Sequence, residues 1–230
     1  MRLCSALLLA AALALQGGAA CASNIVSDFS TVSNPSGEWA YGGWWSNAFH
    51  SGTSITNHRG YIGLNGWGNT DDTYYTPYVV QNTTNGTMRL FGAFDLAGQA
   101  VYFHPGNKGD EGTIRWTAPS AGSYNVALTF TKLDLVNDGP LGTQTVSVWQ
   151  GSTFLGNSTL SAGNQLWTLS RQLMFTQGQE LFIRVGANGN YDGDSTGIAG
   201  TIALVAEPSS LLALCGFTGV VGCMLRKRPS

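Results

Sequence analysis

Cysteine is scarce in this chain of 230 residues: Cys4 and Cys21 lie near one end, Cys215 and Cys223 near the other, and none stands between the two groups. The long central stretch therefore has no disulfide framework, no thiolate metal site and no cysteine nucleophile, so its stability must come from packing. Charge is also sparse, at 10% of residues, and histidine is limited to His50, His58 and His104, which form no zinc-ligand spacing. No phosphate-binding loop is present. Between residues 23 and 206, seven Lys or Arg stand against twelve Asp or Glu, a net charge of −5 that the whole-chain value of −2 conceals. A stretch with so little clustered positive charge is not built to bind nucleic acid.

What is present begins at the two ends. Arg2, an apolar run from Leu7 to Leu15 and the small residues Gly17, Gly18, Ala19, Ala20, Cys21 and Ala22 make the pattern of a secretory signal peptide. The run is too short to cross a hydrocarbon layer of about 30 Å as a helix. Ala20 and Ala22 place small side chains where a signal peptidase reads them, so cleavage is expected before Ser23, with residues 1–22 removed. Lipidation at Cys21 is the alternative, although Gly18 stands where lipoprotein signals prefer an aliphatic residue. At the other end, Leu211 to Leu225 is uncharged and stops against Arg226, Lys227 and Arg228, the basic stop that follows a span on its cytoplasmic side. Counted from Ser209, these 17 residues would extend about 25 Å as a helix, enough for a short transmembrane span.

Glu207 and Pro208 immediately precede that segment. Motif, short span and basic end, in that order on a chain with a signal peptide, resemble the PEP-CTERM sorting signal of exported proteins of Gram-negative bacteria. The resemblance covers residues 207–230; Glu207 and Pro208 match the second and third positions of the motif, and Ala206 replaces its first proline. It implies an exosortase-like enzyme as processing partner after signal peptidase. It further implies transient anchoring in the membrane through the tail, and release to the cell surface or extracellular matrix.

Residues 23–206 remain as one domain, long enough to bury a sizeable core. Tyr124, Val126, Leu128 and Phe130 alternate with Asn125, Ala127, Thr129 and Thr131, the period of a half-buried strand. Similar runs fall at 101–104, 113–117, 143–149, 166–175, 181–185 and 198–205, with further strands expected at 74–81 and, after the Asn85–Gly86 turn, at 88–94. Turn-forming clusters separate them, and no helical period is sustained. The expected class is all-β, an antiparallel β-sandwich of the jelly-roll kind. Two stretches, Arg115 to Tyr124 and Asn190 to Gly197, resemble elements of galactose-binding-like jelly rolls and carbohydrate-binding modules, a resemblance that implies a sandwich and a sugar-binding role.

Aromatics crowd the first half of the domain. Trp44, Trp45 and Trp67 are the candidate ligand platform, since an exposed ring stacks on the apolar face of a sugar. The competing reading is that such rings fill the core. Adjacency sends Trp44 and Trp45 to opposite faces of an extended chain. Asn190, Asp192 and Asp194 offer oxygen ligands for a structural calcium ion, although the bidentate Glu of an EF-hand loop is missing; a solvated loop is the alternative. No catalytic arrangement stands out. The reading is therefore a non-catalytic surface or matrix protein that binds polysaccharide, the cell's own exopolysaccharide being the natural candidate. A structural or adhesive coat component without sugar specificity is the second reading, and a secreted polysaccharide hydrolase, which needs only two carboxylates, the third.

Overall fold

A computed structural model describes residues 22–69, 76–135, 142–189 and 192–206; residues 1–21 of the expected signal peptide, the expected sorting tail and Asn190 lie outside the described residues. Ser23–Ile202 forms one compact unit. Among the described residues its structure is all-β apart from a single 3-10 turn at His58–Gly60, and no helix is long and apolar enough to cross a membrane.

The first half of the chain supplies β1 (Ser23–Asn24), β2 (Trp39–Trp45), β3 (Ala48–Ser51), β4 (Thr53–Ile55), β5 (Leu64–Gly68), β6 (Tyr78–Asn82), β7 (Met88–Leu90) and β8 (Phe94–Leu96). The second half supplies β9 (Val101–His104), β10 (Glu111–Thr117), β11 (Gly122–Lys132), β12 (Gln144–Gln150), β13 (Thr153–Leu160), β14 (Leu166–Phe175), β15 (Glu180–Ala187) and β16 (Thr196–Leu204). They build an eight-stranded sheet, β14-β11-β16-β9-β6-β5-β4 with β1 beside β16, and a six-stranded sheet, β13-β12-β15-β10-β2-β3; β7 and β8 pair with each other.

Within β9 to β16 the first strand pairs with the last, the second with the seventh, the third with the sixth and the fourth with the fifth, all antiparallel. Successive pairs fall alternately in the two sheets. This is one long hairpin rolled up on itself, the jelly roll. The first half of the chain widens the same two sheets: β6, β5 and β4 extend the β9 edge, while β2 and β3 extend the β10 edge.

Alternation explains the core. On β11, Tyr124, Val126, Leu128 and Phe130 are buried while Asn125 and Ala127 are exposed. Between the sheets, Trp116 of β10 meets Tyr124 and Phe175 of the opposite sheet edge-on, at 5.1 and 5.2 Å between ring centroids. A second core lies on the far side of the eight-stranded sheet, where Tyr78, Val80 and Tyr102 are covered by Leu90, Phe94 and Leu96 of the β7–β8 hairpin. Strands β6 and β9 are consequently buried on both faces.

The strands expected at 101–104 and 166–175 have those bounds. The strand expected over 88–94 is instead β7, a turn and β8, because Phe91 and Gly92 adopt φ of 53° and 68° and reverse the chain. The Asn85–Gly86 turn joins strands of different sheets and closes no hairpin, and the 115–124 segment likewise carries the chain from one sheet to the other. Strands β1 to β5 and β13 lie outside the runs that the sequence marks as strands.

Candidate ligand-binding face

In the six-stranded sheet, Tyr41, Ile114, Ile183 and Val148 share the inner face by register, which sends the residues between them outward. Three cross-strand rows of the outer face follow. The first is Phe154, Trp149, Phe182 and Arg115; the second is Asn157, Ser147, Arg184, Thr113 and Gly42; the third is Thr145, Gly186, Glu111, Trp44 and Phe49. An antiparallel sheet with one face on the core ordinarily presents a polar outer face. Here that face carries five aromatic rings with guanidinium groups between them.

The contacts tie neighbouring strands together. The Arg184 guanidinium lies 3.4 Å from the centroid of the Trp44 ring, 5.2 Å from that of Trp149 and 5.5 Å from that of Phe182. Its Nη1 donates to Glu111 Oε2 at 3.4 Å. The Arg115 guanidinium lies 4.7 Å from the Phe49 centroid and 3.0 Å from Glu180 Oε1. Trp44 also meets Phe182 edge-on at 5.1 Å, reaching across the intervening β10, where Thr113 is small and fully buried. Trp149 packs on Phe154 at 4.9 Å and donates its Nε1 hydrogen to Ser147 Oγ at 3.1 Å. Phe154 is 49% exposed, and Trp44, Phe49 and Trp149 are half-buried.

Burial pushes the Glu111 carboxyl above its ordinary value, and attraction to Arg184 offsets part of that rise; burial lowers Arg184, and Glu111 opposes it. Neither Arg184 Nε nor Arg115 Nε, both buried, has a hydrogen-bond acceptor among the described residues. Each guanidinium instead packs on a ring on one side and meets a carboxylate at its tip. Half-exposed rings of this kind can stack on the apolar faces of sugar rings, while the exposed Asn157 offers an amide partner.

Trp44 is the sequence candidate that belongs to this face. Trp45 points to the opposite side, stacked on His50 with centroids 4.1 Å apart, and Gly43 leaves room for it, since a side chain there would collide with the Trp45 ring and Pro77. Trp67 is corrected from an exposed platform to an interior residue: it is 7% exposed, and its Nε1 donates to the Ser30 carbonyl at 2.6 Å. Trp149, Phe154 and Arg184, which sequence reasoning missed, are central to the face. No local signal marks them, because strand register alone brings them together.

The proposed calcium loop has an exposed Asp192 and a fully buried Asp194. Lys132 Nζ donates to the Gly193 carbonyl at 3.0 Å and to Gln144 Oε1 at 2.9 Å, while Gln144 Nε2 donates to Thr196 Oγ1 at 3.0 Å. A carbonyl of the type a calcium shell would recruit thus faces a buried ammonium, and among the described residues no three His, Cys, Asp or Glu side chains gather to hold a metal ion. Gly193, Asp194, Ser195, Thr196 and Gly197 also match the letters of a nucleophile elbow. Ser195 is buried and leads into strand β16 rather than into a helix, so the strand-turn-helix context of that motif is missing.

The sequence matches no family model and no curated protein. Among solved structures, it is similar to the CBM51 module from Clostridium perfringens GH95 in complex with methyl-galactose, with 9% identity, 80% of this chain and 99% of that chain covered, and a TM-score of 0.39. It is also similar to the CBM51-2 and INT domains from Clostridium perfringens ZmpB, with 13% identity, 70% of this chain and 30% of that chain covered, and a TM-score of 0.38. Pika GITRL is similar over 42% of this chain and 79% of that chain, with 16% identity and a TM-score of 0.28. At these scores none of the likenesses bears on family or ligand.

Proposed function

We propose that this chain is an exported, non-catalytic protein of the bacterial cell surface or extracellular matrix whose six-stranded sheet binds polysaccharide on its outer face. The observation that carries the reading is the set of half-exposed rings, Trp44, Phe49, Trp149 and Phe154, laid across adjacent strands with guanidinium groups between them. Both carboxylates identified on that face, Glu111 and Glu180, are engaged with arginines, which supports binding over hydrolysis. The mature protein is expected to be retained by at least one member of a broad panel of immobilised polysaccharides that includes the host's own exopolymer. Trp149→Ala and Phe154→Ala should each weaken retention while leaving the melting temperature nearly unchanged; retention by no polymer would remove the reading.

Export and sorting rest on the order of sequence signals at the two ends, with signal peptidase and an exosortase-like enzyme as processing partners. Mass spectrometry of the mature protein from its host tests this. Termini at Ser23 and close to Glu207 support both cuts, and an intact chain of 230 residues contradicts them.

A further inference from the structure

The charge arrangement on the aromatic face bears on which glycans it accepts, an inference that rests on the polysaccharide-binding reading above. We propose that Glu111 and Glu180 make the face selective for neutral polysaccharide, by holding Arg184 and Arg115 in ion pairs so that neither guanidinium is offered to an acidic sugar.

Guanidinium groups beside aromatic rings would by themselves favour a uronate, because the planar fork matches a carboxylate. The geometry assigns them another task. The Arg184 side chain is 10% exposed, packs on the Trp44 ring and ends on Glu111, whose side chain is 30% exposed. Arg115 repeats the arrangement between Phe49 and Glu180. The arginines brace Trp44 and Phe49, and the carboxylates neutralise the arginines.

An incoming uronate would have to displace Glu111 from Arg184, leaving a partly buried carboxylate unpaired beside a second one, and both consequences disfavour binding. A neutral sugar can stack on Trp149 and Phe154 and leave both ion pairs intact. The net charge of −5 over residues 23–206 adds long-range repulsion of polyanions at low salt.

The test uses the mature protein with polygalacturonate, alginate, gellan and hyaluronan, each beside its carboxyl-reduced, neutral form of the same backbone. Wild-type protein is expected to retain the reduced forms in preference to the acidic ones. Glu111→Gln, which keeps the side-chain shape and removes the charge, should raise the ratio of acidic to neutral affinity about tenfold at low salt, and added salt should erase part of that gain. Glu180→Gln, from a more exposed pair, should move the ratio the same way by less, and it serves as the second variant should circular dichroism show Glu111→Gln unfolded. Wild-type preference for the acidic forms, or folded variants with an unchanged ratio, overturns the selectivity and leaves the platform standing. Retention of neither form of any backbone overturns the selectivity, and overturns the platform as well when no polymer of the broad panel retains the protein.

Discussion

The two sheets of the sandwich present very different faces to solvent. On the eight-stranded sheet, the outward positions of β11 and β14 pair Asn125 with Gln172, Ala127 with Ser170 and Thr129 with Thr168, with the exposed Leu166 and Met174 on the same face nearer the strand ends. An open groove of about 480 Å³ beside them, lined by Asn24, Val26, Ser27, Ala127, Thr129, Ala199, Gly200 and Thr201, holds neither ring nor charge. On the six-stranded sheet, equivalent outward positions hold Trp44, Trp149, Phe154 and Phe182 with Arg115 and Arg184. Both faces belong to the same roll and obey the same alternation, so the fold does not require rings at these positions. Small polar residues meet the structural need on one side; the rings on the other call for a functional explanation.

The comparison breaks first if the outer rings behave as core. Trp116, buried between the sheets, should cost about 3–5 kcal/mol when replaced by Ala, whereas Trp149→Ala should cost about 1 kcal/mol or less, in line with surface substitutions; equilibrium denaturation measures both. Equal costs would make the outer rings structural.

A second prediction separates the covered part of the eight-stranded sheet from both open faces. His58 packs at 4.3 Å and His104 at 5.2 Å from the Tyr78 ring, and burial lowers their pKa values from 6.5 to about 3 and about 4. Because the folded-state values lie below the unfolded one, the stability these neutral histidines allow is fully present above pH 6.5 and is lost as pH falls toward the folded values. Two such groups should cost together about 2–3 kcal/mol by pH 5.5, measured by denaturant titration at pH 7.5 and 5.5. A flat profile would mean that the second core opens easily to water.

Smaller in free energy, but sharper for function, is the effect of the rings on binding. Trp149→Ala and Phe154→Ala should each lower polysaccharide affinity about thirtyfold, about 2 kcal/mol, while Thr129→Ala and Ser170→Ala on the opposite sheet leave it unchanged. The smallest expected effect is that of a chelator. With Lys132 already holding the Gly193 carbonyl, EDTA should not shift the melting temperature, and a fall on chelation that calcium reverses would restore the ion to that loop.

The sequence made the second half of the fold readable because its strands alternate cleanly, as Tyr124 to Phe130 does, between turns rich in Gly, Asn and Pro. The first half concealed its strands for two physical reasons. Trp39 to Trp45 has large residues on both sides of a Gly-Gly step, and β1, β3 and β4 are only two, four and three residues long, too short for a period of two to stand out. Strand β13 gave too little signal because nearly all of it is exposed or half-exposed. The candidate face was legible only through Trp44. Phe154 and Trp149 share a cross-strand row with Phe182, and Ser147 pairs with Arg184, some thirty to forty residues further along the chain, and pairing at that range leaves no mark on local composition.

The central claim is that the outer face of the six-stranded sheet is where polysaccharide binds. It is tested most directly by following backbone amide and indole Nε1–H resonances while a retained polysaccharide fragment is added to the isotopically labelled mature protein. The predicted result is saturable shifts at Trp44 and Trp149 indoles and at Ser147, Phe154 and Arg184 amides, with Ala127, Thr129 and Ser170 unmoved. Shifts confined to the Ala127–Thr129–Ser170 face, with the two indoles unmoved, would contradict it.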